Sequence, residues 1–336
     1  MKALVLREPF HISIEDRPVP VIGESDVLVK VLACGICGTD VHILRGEHIV
    51  KFSVIPGHEF SGEIVETGSA ATNVAVGDLV TIDPNIVDGT CYFCRRGESH
   101  LCEHLSATGV NYDGGFAEFC RVPAVQAYRI SSGVTPEEAA MVEPLACCLH
   151  GIDRVGAILG RSVVLLGAGS IGLIMLQLLK ASGAHPIIVS EPDARKSRLA
   201  AAFGADVIVD PRIDDLSAKV SDITEVGADI VIDCAGTLAA SEIAIKLARR
   251  GGTVMQFGVV APDKVARISP FDVYYKELTV LGSFVNPFTH SRAIDLIASR
   301  RIDVKPLITH RFSLSDAENA MAMAQSGDAV KIMIAP

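Results

Sequence analysis

Tryptophan is absent from the 336 residues, and five tyrosines and twelve phenylalanines make up the whole aromatic complement. With 29 glycines and 16 prolines, that composition suits many turns and small-residue contacts and carries no information on substrate. Basic residues are also in deficit, 30 Lys and Arg against 40 Asp and Glu, for a formal net charge of -10. No basic excess exists to neutralise phosphates, which argues against a nucleic-acid partner. Long apolar runs are missing too. The most apolar stretch, Val163 to Leu179, is shorter than a bilayer-spanning helix and is interrupted by Gly167, Gly169 and Gly172. The start, MKALVLREPF, lacks the apolar stretch and small-residue cleavage site of a secretory signal. The expectation is no membrane segment, no export and a cytoplasmic location.

What is present is a globular composition, 49% hydrophobic and 21% charged, with length enough for two domains. Nine cysteines occur, and in a reducing compartment clustered cysteines read as metal ligands or catalytic groups rather than disulfides. Cys91, Cys94 and Cys102 share one short segment, Cys34 and Cys37 another, and Cys147 and Cys148 a third.

The first 130 residues read as β-rich, with strands expected at Val27 to Ala33, Gly62 to Glu66 and Leu79 to Ile82. Between Asp83 and Gly115 the pattern dissolves into glycines, acids and cysteines, and an irregular stretch of that length needs something to staple it. The period changes at Thr135, a cap residue for a helix opening with Pro136, Glu137 and Glu138. From Ser162 onward strands and helices alternate: strand Val163 to Leu166, helix Ser170 to Ser182, strand Pro186 to Ser190, helix Ala194 to Phe203 and strand Val207 to Val209. Ile230 to Asp233 and Thr253 to Phe257 extend the series, which predicts a doubly wound parallel sheet. Helices are expected again at Thr289 to Ala298 and Ser315 to Gln325, with a last strand at Lys331 to Ile334. The layout is α/β: a β-rich domain from 1–149 and 286–336, with a dinucleotide-binding domain, 150–285, inserted between.

Gly167, Gly169 and Gly172 form a GxGxxG run between an apolar strand and an apolar helix. Gly167 permits the tight turn, Gly169 lets the backbone approach a pyrophosphate, and Gly172 allows close helix–sheet packing. Ser170 and Ile171 then open the helix whose N-terminal N–H groups face the anion. Glu191 lies at the end of the next strand, placed to hydrogen-bond an adenosine ribose diol and repel a 2′-phosphate, so NAD is expected over NADP. Arg195 and Arg198 lie nearby and temper that preference, while Gly236 and Gly258 follow later strands as backbone sites near the cofactor or as ordinary turns.

Cys37 and His58 are good borderline-soft zinc ligands, and Glu59 or Glu143 can add an oxygen. An open position on such a metal lowers the pKa of an alcohol oxygen, and the resulting alkoxide readily donates hydride to nicotinamide. Singly each residue is ambiguous. Cys34 reads as core, His58 as a turn histidine or a ligand, and Glu59 as a surface acid, a lysine's partner or a ligand.

The motifs together resolve the ambiguity by resemblance. The run from Cys37 to His42 (CGTDVH), the run from Gly57 to Gly62 (GHEFSG), Gly77-Asp78, the Asp88-x2-Cys91-x2-Cys94-x7-Cys102 lobe, Glu143-Pro144-Leu145 and the glycine fingerprint occur in the order of one family. The chain resembles the zinc-containing medium-chain alcohol dehydrogenase superfamily, especially its sorbitol (polyol) dehydrogenase-like branch. The resemblance implies a GroES-like catalytic domain with an inserted Rossmann domain, and Cys37, His58 and Glu59 as catalytic zinc ligands. Glu143 is implied as a further acid touching zinc directly or through water. Thr39 is implied as the hydroxyl of a proton relay running through the cofactor ribose to His42 and solvent.

The resemblance also implies a structural zinc on Asp88, Cys91, Cys94 and Cys102. The family carries cysteine at the first position; an aspartate oxygen can replace it, with His100 and Glu103 as lesser substitutes. The implied activity is NAD-dependent oxidation of a secondary hydroxyl of a polyol or sugar alcohol. L-Threonine, a vicinal diol or a sugar acid are alternative substrates, and a nonenzymatic NAD-sensing protein is an alternative of another class. Asn111, Tyr112 and Asp113 fall in a stretch the family places near the substrate, though a turn explains them as well. A homodimer or homotetramer is implied, with no interface legible in the periodicity.

Overall fold

A computed structural model describes residues 1–47 and 52–336. Two compact units result, one from Met1–Ala146 with Asn286–Pro336 and the other from Cys147–Val285. The first crossing falls three residues before the expected boundary of 149, because helix Val142–Val155 runs through it without a break. A continuous helix leaves no linker composition for the sequence to show.

The first unit is built on a seven-stranded sheet. Its order is Ile308–Ser313, Lys331–Ala335, Asp26–Gly35, Glu59–Thr67, Leu79–Ile82 and Ala127–Arg129, with Phe119–Pro123 also pairing Asp26–Gly35. The first two strands run parallel and the remaining pairings are antiparallel. Strand Asp26–Gly35 is central because its side chains serve two faces: Val27, Val29 and Val31 enter the core while Lys30 stays at the surface. Leu28 and Cys34, on the Lys30 side, are buried too, so the strand is covered over part of its second face as well. The last strand docks on it through Met333 opposite Gly35 and Ile334 opposite Cys34, so the chain's two ends meet in one sheet.

Helix Pro136–Ala140 starts where the cap residue put it. The Thr135 hydroxyl accepts from Glu138 N, and the Glu138 carboxylate accepts from Thr135 N. Such a reciprocal box contributes about 1 kcal/mol.

The second unit holds a six-stranded parallel sheet in the order Val207–Val209, Ile187–Ser190, Val163–Leu166, Ala228–Asp233, Ala248–Gln256, Thr279–Gly282. All four residues of Val163–Leu166 are buried, as expected for a strand covered on both faces. Numbered by sequence the order is 3-2-1-4-5-6, whose reversal point lies beside Val163–Leu166. Dinucleotides bind at that crevice in such sheets. A GroES-like unit and a Rossmann unit therefore make up the fold. Among the described residues, no helix is long and apolar enough to cross a membrane.

Candidate active site

Register brings the first donor group together. Gly35 pairs with Glu59 across two neighbouring strands, so Cys37, two residues past one strand, meets His58 and Glu59 at the start of the other. One ligand atom from each of Cys37, His58 and Glu59 lies within 4.8 Å of the others. His58 and Glu59 are buried and Cys37 is half-buried. A thiol, an imidazole and a carboxylate at that spacing suit zinc.

Asp40, which motif reading passed over, organises two of the three. It is fully buried in the first turn of helix Gly38–Leu44; its Oδ2 accepts from Cys37 N at 2.8 Å and its Oδ1 from Gly57 N at 3.3 Å. Oδ1 also lies 3.5 Å from His58 Nδ1, an electrostatic contact without hydrogen-bond geometry. Burial opposes the His58 imidazolium, but Asp40 and then Cys37 outweigh it and hold the pKa well above the ordinary value. The signal available in sequence was the Cys-x2-Asp spacing, which lets a carboxylate turn back on the helix start.

Glu59 does have a lysine partner. Its Oε2 accepts from Lys331 Nζ, and both side chains are buried. Burial works against the ammonium, yet Glu59 and Cys37 outweigh it and raise the Lys331 pKa. Lys331 lies 272 positions from Glu59, and no local pattern could have joined them.

Thr39 Oγ1 stands 3.7 Å from Cys37 Sγ, and His42 follows three residues later on the same helix face. His42 Nδ1 meets Glu47 Oε2 at 2.6 Å and is partly exposed, so this end of the helix reaches solvent. Glu143 is buried near the start of helix Val142–Val155, outside the group of donors within 4.8 Å. The stretch with Asn111, Tyr112 and Asp113 is a buttress: Asp113 Oδ1 accepts from Ile55 N at 2.9 Å, Asn111 Oδ1 accepts from Ala107 N, and Gly115 N donates to Gly57 O. It braces the segment that carries His58. Tyr112 is exposed.

The second donor group is Asp88, Cys91, Cys94 and Cys102, again with ligand atoms within 4.8 Å. Asp88 Oδ1 accepts from Cys91 N and Thr90 N, and those two bonds pull its carboxyl down to about 2. The Cys102 thiol accepts from Asp88 N at 3.5 Å and His104 N at 3.4 Å. The only regular structure across this lobe is two single turns, Cys94–Arg96 and Ser99–Leu101. His100 and Glu103 are not in the group.

In the second unit Gly167 has φ +94°, and a Cβ on Gly172 would lie 2.1 Å from Gly167 O, so both need glycine. Gly169 differs. A Cβ there would meet nothing within 4 Å, so open space lies in front of the N-terminus of helix Ser170–Ala181. Ser170 and Ile171 contribute N–H groups that have no intrahelical acceptor. Glu191 is buried; its Oε2 accepts from Ala168 N at 2.7 Å and its Oε1 from Asp193 N at 2.8 Å. The acid thus fastens the glycine turn while each oxygen keeps a lone pair. Arg195 is held by Asp193, and Arg212 by Asp210 and Pro192 O. Gly236 and Gly258 pack on each other: a Cβ on Gly258 would lie 2.3 Å from Gly236 N. That contact requires glycine at 258, while Gly236 has φ +62° and a Cβ on it would lie 2.7 Å from Val259 O.

A GroES-like unit with a zinc-suited trio and a Rossmann unit with a glycine turn define a zinc-type dehydrogenase. Comparison with known proteins agrees. Residues 23–132 match the alcohol dehydrogenase GroES-like domain and residues 170–299 the zinc-binding dehydrogenase domain. The chain is 35% identical to D-arabinitol dehydrogenase 1 of Uromyces fabae over 100% of this chain and 97% of that one. It is also 35% identical to L-threonine 3-dehydrogenase of Pyrococcus furiosus, over 99% of this chain and 98% of that one. Among solved structures, a protein of Sinorhizobium meliloti 1021 described as a zinc-binding dehydrogenase, bound to NADP, superposes with TM-score 0.96 and 43% identity, covering 100% and 99% of the two chains. The chain belongs to the zinc-containing medium-chain alcohol dehydrogenase superfamily, in its sorbitol dehydrogenase-like branch, and is an alcohol dehydrogenase.

Proposed function

We propose that this dehydrogenase oxidises a secondary hydroxyl of a polyol or sugar alcohol to a ketone, using zinc at Cys37, His58 and Glu59 and NAD in preference to NADP. The observation that carries the reading is the trio of buried and half-buried donors within 4.8 Å, with a carboxylate as its third member. When bound, zinc supplies Lewis acidity and nicotinamide accepts the hydride. The chain's own residues hold and discharge the rest. Asp40 fixes the Cys37 backbone and stands behind His58. Glu59, with buried Glu143 as the further acid of the reading, favours a substrate rich in hydroxyl donors. The Thr39 hydroxyl would accept the substrate hydroxyl's proton only as it gives up its own, and His42, paired with Glu47, would pass the released proton to water at the solvent end.

A second metal on Asp88, Cys91, Cys94 and Cys102 would organise the irregular lobe; an ionised carboxylate and three thiols fit zinc.

Two observations support NAD. The buried Glu191 carboxylate is bonded to the glycine turn at Ala168 N, where its remaining lone pairs could accept from a ribose diol, and Arg195 and Arg212 are already engaged by aspartates. Replacing Glu191 with serine should shift the NAD to NADP preference toward NADP by at least roughly tenfold, measured as the ratio of kcat/KM values. Exclusive use of NADP by the wild type would contradict this part.

L-Threonine is the second reading, favoured by the 35% identity to a threonine dehydrogenase across nearly the whole chain. Cys37→Ser should abolish turnover of any true substrate and remove the catalytic zinc while leaving NAD binding intact; retained activity would defeat the zinc role.

A homo-oligomer in the cytoplasm completes the reading. A set of nine cysteines, clustered as for metal ligation, suits a reducing compartment. Strand Thr279–Gly282 is a sheet edge with exposed Val280, and Phe271 and Tyr274 stand exposed in the segment before it. Open apolar edges of this kind are usually covered by a partner.

A further inference from the structure

Three separate parts of the chain meet at the Glu59 side of the donor trio: the end of strand Asp26–Gly35, Glu59 itself, and the first residue of the last strand, Lys331. Lys331 is 3% exposed and Glu59 1%, which makes this an ion pair sealed from water. The strand register fixes the lysine's origin. Met333 pairs with Gly35, and Ile36 N donates to Ile332 O at 3.0 Å. Gly35 supplies the room. A Cβ there would lie 2.5 Å from Glu59 Oε2, 2.8 Å from Lys331 Cε and 3.3 Å from Lys331 Nζ. The glycine, with an ordinary extended φ, is therefore needed for the space in which the two charged groups touch, not for its turn geometry.

Lys331 Nζ donates to Oε2, and Oε1 is the other oxygen of a carboxylate that belongs to the donor trio. A carboxylate beside a metal can give one oxygen or two, and an ammonium held on one oxygen competes with the metal for it. A fixed positive charge at that distance also opposes a dication. Resting on the zinc reading of Cys37, His58 and Glu59, we propose that Lys331 is a positioning residue: it occupies Oε2 of Glu59, so that the carboxylate offers zinc a single oxygen and a coordination position stays open for the substrate hydroxyl. Lys331 acts through Glu59 and does not itself touch substrate.

Lys331→Gln, which keeps a donor without charge, Lys331→Met and Lys331→Arg are compared with the wild type as zinc-loaded full chains. Zinc affinity is read by competition with a chromophoric chelator, the catalytic site being the one lost in Cys37→Ser. Coordination is read from the visible d–d bands after cobalt substitution. Relative to wild type, Lys331→Gln and Lys331→Met should bind catalytic zinc at least about tenfold tighter, with weaker cobalt bands from added coordination. Their kcat should fall by about 100-fold with a smaller change in KM, and Lys331→Arg should restore all three. Zinc held equally or more weakly, with unchanged cobalt bands, would mean that the pair only stabilises the fold and would overturn the proposal. A crystal structure of the zinc-loaded wild type needs no variant: Glu59 giving two oxygens, or Lys331 turned away from Oε2, overturns it equally. A wild type that binds no zinc at Cys37, His58 and Glu59 would instead overturn the zinc reading beneath it.

Discussion

Asp40 shows what a single buried carboxylate does here. With one oxygen on the Cys37 backbone and the other facing Gly57 and His58, it sets two donors from behind without being one itself. Removing its charge while keeping its shape should loosen both. Asp40→Asn is expected to weaken zinc binding and lower kcat/KM by about 10–100-fold, as for other groups that orient metal ligands. Chelator competition checks this, and an unchanged zinc affinity would count against it. The residues of this site differ in how readable they were. Cys37, His58 and Glu59 stood in short motifs, and so did Asp88, Cys91, Cys94 and Cys102. Asp40 stood inside a motif with its role unread, because a supporting carboxylate looks like any helix-start acid. Lys331 was invisible, since a contact across 272 positions depends on a strand pairing that no local spacing records.

At the scale of elements, the lobe from Asp88 to Cys102 is held by little besides its donors: two single turns and a few backbone bonds to side chains. Asp88→Ala should lower zinc content by about one ion per chain and make the lobe an early site of proteolysis, while Asp88→Cys should keep the metal. Metal analysis decides, and full zinc content in Asp88→Ala would remove Asp88 from the ligand set. Helix His290–Ala298 offers a pH-dependent element. His290 is buried with Nδ1 against Asn286 and Nε2 toward Ile82 O, and burial lowers its pKa despite the pull of Asp83. Its folded pKa thus lies below the ordinary 6.5. Below that pH the unfolded chain takes up a proton that the folded chain refuses, so this part of the stability is full above 6.5 and is lost as pH falls. The Tm gap between wild type and His290→Gln should narrow as pH drops below that value; a widening gap would contradict the assignment. Strands such as Val163–Leu166, Leu79–Ile82 and Val207–Val209 were legible residue for residue, because an apolar run bounded by turns has few other readings. Helix Leu216–Thr224 and strand Thr279–Gly282 were not. The helix is only partly buried and the strand is an exposed sheet edge, so neither carries a strong apolar pattern.

For the whole molecule, the division into a GroES-like and a Rossmann unit follows from one change of hydrophobic period and was legible at that level. Its point of crossing was not, since a helix carries the chain through. The exposed edge at Thr279–Gly282 leads to a prediction at this scale: if the proposed homo-oligomer forms through it, Val280→Lys should lower the sedimentation mass toward the monomer, and an unchanged mass would contradict that role of the edge. The central claim concerns the alcohol. Its most direct test is the rate of reduced-cofactor formation by the zinc-loaded enzyme on a panel of polyols, vicinal diols, sugar acids and L-threonine, each with NAD and with NADP, followed by identification of the product. The account predicts that a polyol with NAD has the highest kcat/KM and yields the ketose. Turnover of L-threonine alone would contradict it.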